Sequence, residues 1–216
     1  MGGLDIVTIA IIAINVIVSL KGFSDLSFFN KNKFQISAIQ QGEKHRMLTS
    51  GFLHADQMHL LFNMLTLYFF ADAVINQVGQ IYFIIIYFGS LIAGSLIAVS
   101  FHKKEPFYSA VGASGAVSGI LYAAILLNPG MTLLFYFAIP IPGWIFAIGY
   151  LLYSVYGMKK QLGNIGHSAH LGGAIGGYAL TLLLHPSVIS TNRTLVIILA
   201  IPIVLLFIFE DKLKKI

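Results

Sequence analysis

The chain has 216 residues, of which 57% are hydrophobic and only 10% are charged. Ordinary soluble domains are about 25% charged, so these proportions exclude a soluble globular domain and a disordered chain. The chain has 13 Lys and Arg and 8 Asp and Glu, and the basic residues are not concentrated in a stripe. This argues against nucleic acid as a partner. The lack of cysteine excludes disulfides, thiolate nucleophiles and Cys-based metal sites. The remaining class is a polytopic helical membrane protein.

Seven apolar segments approach the length of about 20 residues that a membrane-spanning helix needs. In chain order they lie at about 4–20, 57–76, 80–100, 112–128, within 131–156, at 167–185 and at 193–209. Pro140 and Pro142 interrupt the fifth segment, so its helix is expected to begin near Gly143. The first segment lacks a preceding basic stretch and a small-residue cleavage site, which favours a span over a signal peptide. Six spans, with the last segment on the membrane surface, is the alternative.

The connection at about 21–56 is the longest between two spans and is unusually apolar. Its large apolar residues are Phe23, Leu26, Phe28, Phe29, Phe34 and Ile36. This composition predicts a connection that lies partly in the membrane interface.

Polar side chains inside a bilayer are costly, so each of them is a candidate functional residue. Here they gather at the beginnings of the second, fourth and sixth spans. They are His54, His59 and Asn63, then Gly112-Ala113-Ser114-Gly115, then His167, Ser168 and His170. Because the chain direction alternates across the membrane, these three spans begin on the same side. We therefore expect His59, Ser114 and His170 at a similar depth, where they can meet.

A serine hydroxyl becomes a nucleophile only when a base takes its proton, and His170 is the candidate base for Ser114. Amide hydrolysis also needs hydrogen-bond donors for the developing oxyanion. His59 and Asn63 are four residues apart and share a helix face, and the amide of Ser114 lies at a helix start, where N–H groups are unpaired. Asp72 lies about 20 Å beyond His59 along a helix, too far to orient His170. The sequence therefore predicts a Ser-His dyad without a carboxylate.

Glycines recur at spacings of three and four on the spans that carry Ser114 and His170. They are Gly112, Gly115 and Gly119 on the fourth span, and Gly172, Gly173, Gly176 and Gly177 on the sixth. Small residues at such spacings let two membrane helices approach closely, and proton transfer needs an oxygen and a nitrogen within about 3 Å of each other. The glycines favour direct packing of these two spans, although general helix packing produces the same pattern.

Three motifs combine these residues in one order. The second span has H-x-x-x-N at His59 and Asn63, preceded by His54. The fourth span has G-x-S-G from Gly112 to Gly115, and the sixth has A-H-x-x-G-x-x-x-G from Ala169 to Gly177. On these motifs the chain resembles the rhomboid family of intramembrane serine proteases, over about residues 4–185.

The resemblance implies an all-α fold, a polytopic transmembrane helical bundle. A six-helix core would occupy residues 1–190, and an additional C-terminal transmembrane helix with a basic tail would occupy 191–216. The implied activity is cleavage of single-span membrane proteins near a membrane boundary, within the lipid bilayer, with no metal or other cofactor. We expect a multi-pass integral protein of a bacterial-type cell membrane.

The resemblance also implies roles for individual residues. Ser114 would be the nucleophile and His170 the general base. His59, Asn63 and the amide of Ser114 would stabilise the oxyanion. The supporting residues would be His54, Gly112, Gly115, Gly173 and Gly177. The fifth span and the loop at about 157–166 would form a gate over the site.

Three positions depart from patterns that many members of the family share. A Trp-Arg pair in the first loop aligns with His45 and Arg46. A tyrosine one turn after the serine, which stacks on the histidine, aligns with Ser118, while Tyr122 lies a turn further on. A glutamate near the end of the second span aligns with Ile75. None of these departures removes a catalytic atom.

Orientation in the membrane is predicted differently by two arguments. All Lys and Arg except Arg193 fall on the active-site side of the seven-span arrangement, which the positive-inside rule assigns to the cytoplasm. The resemblance implies the opposite orientation.

Two other functions compete with proteolysis. One is a catalytically inactive protein of the same fold that binds membrane clients. Such proteins usually lack the Ser or the His, and both are present here. The other is a metal or proton transporter that uses the four histidines near the predicted site. No acidic ligand accompanies these histidines, and no inverted repeat is visible in the sequence.

Overall fold

The computed structural model describes residues 4–135, 138–160 and 166–208, and the chain is mostly helical. The helices are α1 (Ile6–Ser24), α2 (Leu26–Asn32), α3 (Ile36–Gln40), α4 (Arg46–Thr49), α5 (Gln57–His102), α6 (Ser114–Leu127), α7 (Gly143–Lys160), α8 (His167–Leu184), α9 (Ser187–Thr191) and α10 (Arg193–Ile208), with a 3₁₀ turn at Ser50–Phe52. The short strands are β1 (Phe34–Gln35), β2 (Ser109–Ala110), β3 (Thr132–Phe135) and β4 (Ile139–Pro142). The predicted helical class is therefore confirmed.

Each predicted span coincides with a helix or with half of one. Two described helices, α1 and α5, are long and apolar enough to cross a membrane, and α6 and part of α10 are shorter apolar helices. Large apolar side chains such as Ile6, Ile81 and Leu183 point outward, as side chains in contact with lipid would. The number of spans and their arrangement across a bilayer stay predictions.

The second and third predicted spans form one helical segment, α5, which is interrupted at Gly79 with φ 81° and ψ 167°. Glycine adopts a positive φ without the steric cost of a Cβ atom. His59, near one end of α5, lies against Gly112 just before α6. His102, at the other end, places its Nε2 atom 3.1 Å from Ser168 Oγ near the start of α8. Since α6 and α8 begin side by side, the chain reverses direction at Gly79.

Helix α6 is the centre of the fold, and every residue from Gly115 to Leu127 is buried. Helix α8 packs against it without intervening side chains. A Cβ atom on Gly173 would lie 2.0 Å from the carbonyl oxygen of Gly115, and one on Gly177 would lie 2.2 Å from that of Gly119. The direct packing predicted for these two helices is confirmed, and it fixes α8 against α6 through their backbones.

The fifth predicted segment divides at its prolines. Helix α7 begins at Gly143, as predicted, and continues to Lys160. The residues before it form a hairpin that the sequence did not suggest, in which β3 pairs antiparallel with β4 and Thr132 lies opposite Pro142. Proline has no backbone N–H to donate, but each strand of a two-stranded hairpin has one edge that pairs with no other strand. Pro140 and Pro142 are therefore compatible with β4.

The first connection is more compact than predicted. Its residues Phe34 and Ile36 are buried, with Ile39 and Ala98, in a small apolar cluster apart from the main core. Strand β1 also pairs with β2, so that Phe34 lies opposite Ala110. These two apolar side chains therefore pack inside the protein. A partial location of the connection in the membrane interface stays a prediction. Leu26, by contrast, is exposed.

Arg46 holds this connection together. Its Nη1 atom donates to the carbonyl oxygens of Asn30, at 2.6 Å, and Lys33, at 3.1 Å. Its Nε and Nη2 atoms contact a carboxylate oxygen of Glu43 at 2.8 and 2.7 Å. Arg46 thus hydrogen-bonds the backbone of the first connection, although the residue before it is His45 and not tryptophan.

Candidate active site

The predicted catalytic residues line one cavity of about 560 Å³. They arrive from three helices: His59 and Asn63 from the start of α5, Ser114 from the first residue of α6, and His170 from the first turn of α8. Residues of α7 close another side of the cavity. The remaining lining residues are Ala55, Asp56, Phe62, Thr66, Val111, Val117, Ser118, Leu121, Phe146, Tyr150 and Gly166.

Ser114 stands at the N-terminus of α6, where first-turn amides have no acceptor within the helix and the helix dipole favours negative charge. Gly112, two residues before Ser114, has a φ of 129°, which other residues rarely adopt. A Cβ atom on Gly112 would lie 2.7 Å from His59 Cε1, 2.9 Å from His59 Nε2 and 3.6 Å from Ser114 Oγ. The missing side chain is therefore what lets the His59 ring lie beside the serine.

His54 supports this turn through a chain of hydrogen bonds. The amide of Ala113 donates to His54 Nε2 at 3.3 Å, so that nitrogen carries no proton. His54 Nδ1 therefore donates to Ser19 Oγ at 2.8 Å, and Ser19 donates to the carbonyl oxygen of Phe52 at 2.9 Å. Burial lowers the pKa of the His54 imidazole well below its usual value, in agreement with a neutral ring. The predicted supporting residue thus holds the backbone just before Ser114.

The His59 ring is oriented as a donor toward the cavity. The amide of Ala55 lies 3.5 Å from His59 Nδ1 and donates to it, which leaves the ring proton on Nε2, an atom on the side of the ring that faces Gly112. Asp56 caps α5 and accepts from the His59 amide at 2.8 Å. Asn63 Nδ2 donates one hydrogen to the carbonyl oxygen of His59 at 3.0 Å, and its second amide hydrogen is available to the cavity.

His170 is half-buried and opens on the cavity. Its ring stacks on that of Tyr150, with centroids 5.9 Å apart and planes inclined by 17°, and makes an edge contact with His167 at 6.2 Å. Within the residues that the structure describes, no hydrogen bond joins His170 to Ser114, and no carboxylate contacts its ring. Catalytic hydrogen bonds are often long in enzymes without substrate.

Tyr150 is the residue beside His170 that sequence reasoning missed. In the sequence, the family tyrosine that stacks on the histidine aligns with Ser118, and Tyr122 lies a turn further on. In the structure Tyr122 donates to the carbonyl oxygen of Ala147 on α7, and Ser118 contacts the Tyr150 hydroxyl. The small side chain at Ser118 leaves room for a ring from elsewhere, but only the packing of α7 identifies that ring.

Part of the predicted gate lies outside the described residues. Of the loop at 157–166, residues 157–160 belong to α7 and 166 precedes α8, whereas 161–165 fall in one of the gaps.

Asp72 is half-buried, seven residues before the turn at Gly79 on the opposite side of the fold. In the described ranges no group of three or more His, Cys, Asp or Glu side chains is placed to hold a metal ion.

Replacing Gly112 by alanine is expected to lower cleavage activity by about tenfold or more, because the new methyl group displaces the His59 ring from Ser114. The positive φ adds strain of about 1–3 kcal/mol. The rate of peptide-bond cleavage and the midpoint of thermal unfolding measure the two effects.

Gly42→Ala is the matched control, because Gly42 has a φ of 106° and no atom within 4 Å of a built Cβ. It is expected to lose similar stability and keep its activity. Equal activity losses in both variants would contradict a role for the contact with His59.

The geometry suits acyl transfer: a serine at a helix N-terminus, an imidazole facing the same cavity, and two side-chain donors beside them. A family model described as "Rhomboid domain" matches residues 41–187. The chain is 31% identical over 163 residues to RHOMBOID-like protein 12, mitochondrial, of Arabidopsis thaliana, which covers 68% of this chain and 48% of that protein.

Two Bacillus subtilis proteins are also similar. The chain is 35% identical over 150 residues to the putative rhomboid protease YdcA, covering 67% of this chain and 69% of that protein. It is 34% identical over 142 residues to the rhomboid protease GluP, covering 66% of this chain and 26% of that protein. The chain thus spans about half or less of the length of several curated relatives.

The names of these relatives include both mitochondrial and bacterial proteins. The comparisons therefore do not support the prediction of a bacterial-type cell membrane over a mitochondrial one. They do agree on the family. Because the matched region covers more than half of the chain, this protein belongs to the rhomboid family of membrane proteins.

Proposed function

We propose that the chain is an intramembrane serine endopeptidase that cleaves single-span membrane proteins near a membrane boundary. The observation that carries the proposal is the convergence of Ser114, His170, His59 and Asn63 on one cavity. These residues come from three helices and are far apart in sequence. Membership of a family with protease-named relatives supports the same activity.

The proposed reaction begins when His170 takes the hydroxyl proton of Ser114 and Ser114 Oγ attacks the carbonyl carbon of the scissile bond. The carbonyl oxygen becomes an oxyanion that accepts hydrogen bonds from His59 Nε2, Asn63 Nδ2 and the Ser114 amide. Collapse breaks the C–N bond, and His170 gives its proton to the departing amine. Water then releases the acyl group by the same route, with His170 again as the base.

Substrate access is proposed to run between α5 and α7. Phe62 and Thr66 of α5 line one side of the cavity and Phe146 of α7 lines another, so a helix in the lipid would meet an apolar entrance. We propose a multi-pass integral membrane protein with seven spans. Residues 1–190 would form the six-helix protease core, and residues 191–216 would add a helix outside it.

The test combines cleavage with active-site labelling. The purified chain is reconstituted in liposomes with a single-span substrate, and product termini are identified by mass spectrometry. A fluorophosphonate that reacts with activated serines is expected to modify Ser114 alone, and cleavage should fall in proportion to labelling. Heat-denatured protein is the control and should not be labelled.

Two outcomes would overturn the proposal. Cleavage that persists after complete labelling of Ser114 would exclude this serine as the nucleophile. Substrate that binds with no cleavage and no labelling would favour the client-binding alternative.

A further inference from the structure

Tyr150 of α7 touches the candidate base through its ring. The ring lies nearly parallel to the His170 imidazole, with 5.9 Å between centroids and 17° between planes. Offset stacking of this kind is favourable at centroid separations of about 4.5–7 Å. Among the described residues, ring contacts with Tyr150 and His167 surround the imidazole, and no hydrogen bond fixes it. Stacking is therefore the contact that sets the plane of His170.

The hydroxyl of Tyr150 is fixed by the helix that carries the nucleophile. Tyr150 Oη and Ser118 Oγ are 2.6 Å apart, and Ser118 Oγ is 2.6 Å from the carbonyl oxygen of Ser114. A carbonyl can only accept, so the single Ser118 proton goes to Ser114. The Tyr150 hydroxyl must then donate to Ser118. The same tyrosine thus contacts the base through its ring and the backbone of Ser114 through one intervening hydroxyl.

A second tyrosine supports this position. Tyr122 of α6 donates to the carbonyl oxygen of Ala147, one turn before Tyr150 on α7. Helix α7 is therefore tied to α6 by tyrosine hydrogen bonds at two successive turns. The tyrosine whose ring faces His170 is therefore anchored through its own hydroxyl, and its helix is anchored again one turn before it.

We propose that Tyr150 is a positioning residue for His170: its ring sets the plane of the imidazole, and Ser118 sets the place of the ring. The proposal rests on the proposed protease function, because it assigns Tyr150 an effect on proton transfer through His170.

The first test is kinetic. Tyr150→Leu removes the ring and is expected to lower kcat by about tenfold to a hundredfold, the range that small misplacements of catalytic groups produce, with KM changed less than about threefold. Tyr150→Phe keeps the ring and should lower kcat by no more than about fivefold. Tyr156→Leu is the control, because Tyr156 is exposed on the same helix and does not line the cavity. An unchanged kcat in Tyr150→Leu would overturn the proposal.

The second test remains decisive if Tyr150→Leu does not fold. Tyr150→Phe and Ser118→Ala both remove the hydrogen bond between these two side chains, and Ser118→Ala also removes the one to the Ser114 carbonyl oxygen. Tyr150→Phe should therefore lower kcat by about twofold to fivefold, and Ser118→Ala by at least as much. The double variant should be no worse than Ser118→Ala alone. Additive losses, or no loss, would contradict the role of Ser118.

The third test observes His170 directly, without cleavage. The Cε1 proton of His170 is assigned in the NMR spectrum of histidine-labelled protein by its loss in His170→Gln. Ring stacking should shift this signal upfield in the wild type and in Tyr150→Phe, but not in Tyr150→Leu. A signal that is the same in all three proteins would overturn the stacking. A stacked signal in a protein that never cleaves substrate would instead overturn the proposed protease function.

Discussion

Replacing Ser114 by alanine is expected to reduce cleavage of a reconstituted single-span substrate by at least about 10³-fold, because no other group can form the acyl intermediate. His170→Ala should cause a loss of similar size, since the serine then keeps its proton. The double variant should be no less active than either single variant, because a nucleophile and its base act as one unit. Product formation over time, followed on gels, measures all three.

The control for this pair is His185→Ala. His185 caps the other end of α8 from His170, and the cap uses its backbone amide rather than its side chain. The His185→Ala variant should cleave the substrate at the wild-type rate. All variants should unfold at the wild-type temperature. A His170→Ala protein that retains more than about a tenth of the activity would contradict the Ser-His dyad.

Replacing Gly173 by alanine is expected to lower the free energy of unfolding by about 3 kcal/mol or more, above the usual range for overpacking. The added methyl carbon would lie 2.0 Å from the carbonyl oxygen of Gly115. A flexible side chain could move aside, but here the obstacle is the backbone of α6. Helices α6 and α8 must separate, so Ser114 and His170 also move apart and cleavage should be lost with stability.

Gly149→Ala is the matched control for this substitution. Gly149 also lies within a helix, but a Cβ atom there meets nothing within 4 Å. Alanine at this position should leave stability unchanged or raise it by up to about 1 kcal/mol. Unfolding titrations in detergent measure both variants. Equal stability of Gly173→Ala and the wild type would contradict the backbone contact between α6 and α8.

The meeting of the catalytic residues could be predicted because the sequence offers so few alternatives. In a chain rich in polar residues there would be many more candidates, and the sequence would not single out His59, Ser114 and His170. Here the cost of polar groups in hydrocarbon leaves a short list, and alternating chain direction places its members at the same end. The glycines then indicated which two helices pack most closely, and the structure bears this out at Gly173 and Gly177.

Other features could not be predicted because they depend on packing between distant segments. The ring of Tyr150 meets His170 only because α7 packs against α8. The burial of Phe34 and Ile36 requires the pairing of β1 with β2, whose residues are more than 70 positions apart. Periodicity describes the faces of one helix, and it contains no information about which distant segment will cover them.

The backbone contact between α6 and α8 also determines which part of the protein can move. Helices joined at Gly173 and Gly177 cannot slide past each other, so serine and base form one rigid body. Helix α7 contacts α6 much less extensively than α8 does, and we expect it to be the part that yields when a substrate enters. Any outward swing of α7 carries Tyr150 away from His170. An open form would then lack the contact that orients His170, and it would regain this contact only after closing around a substrate.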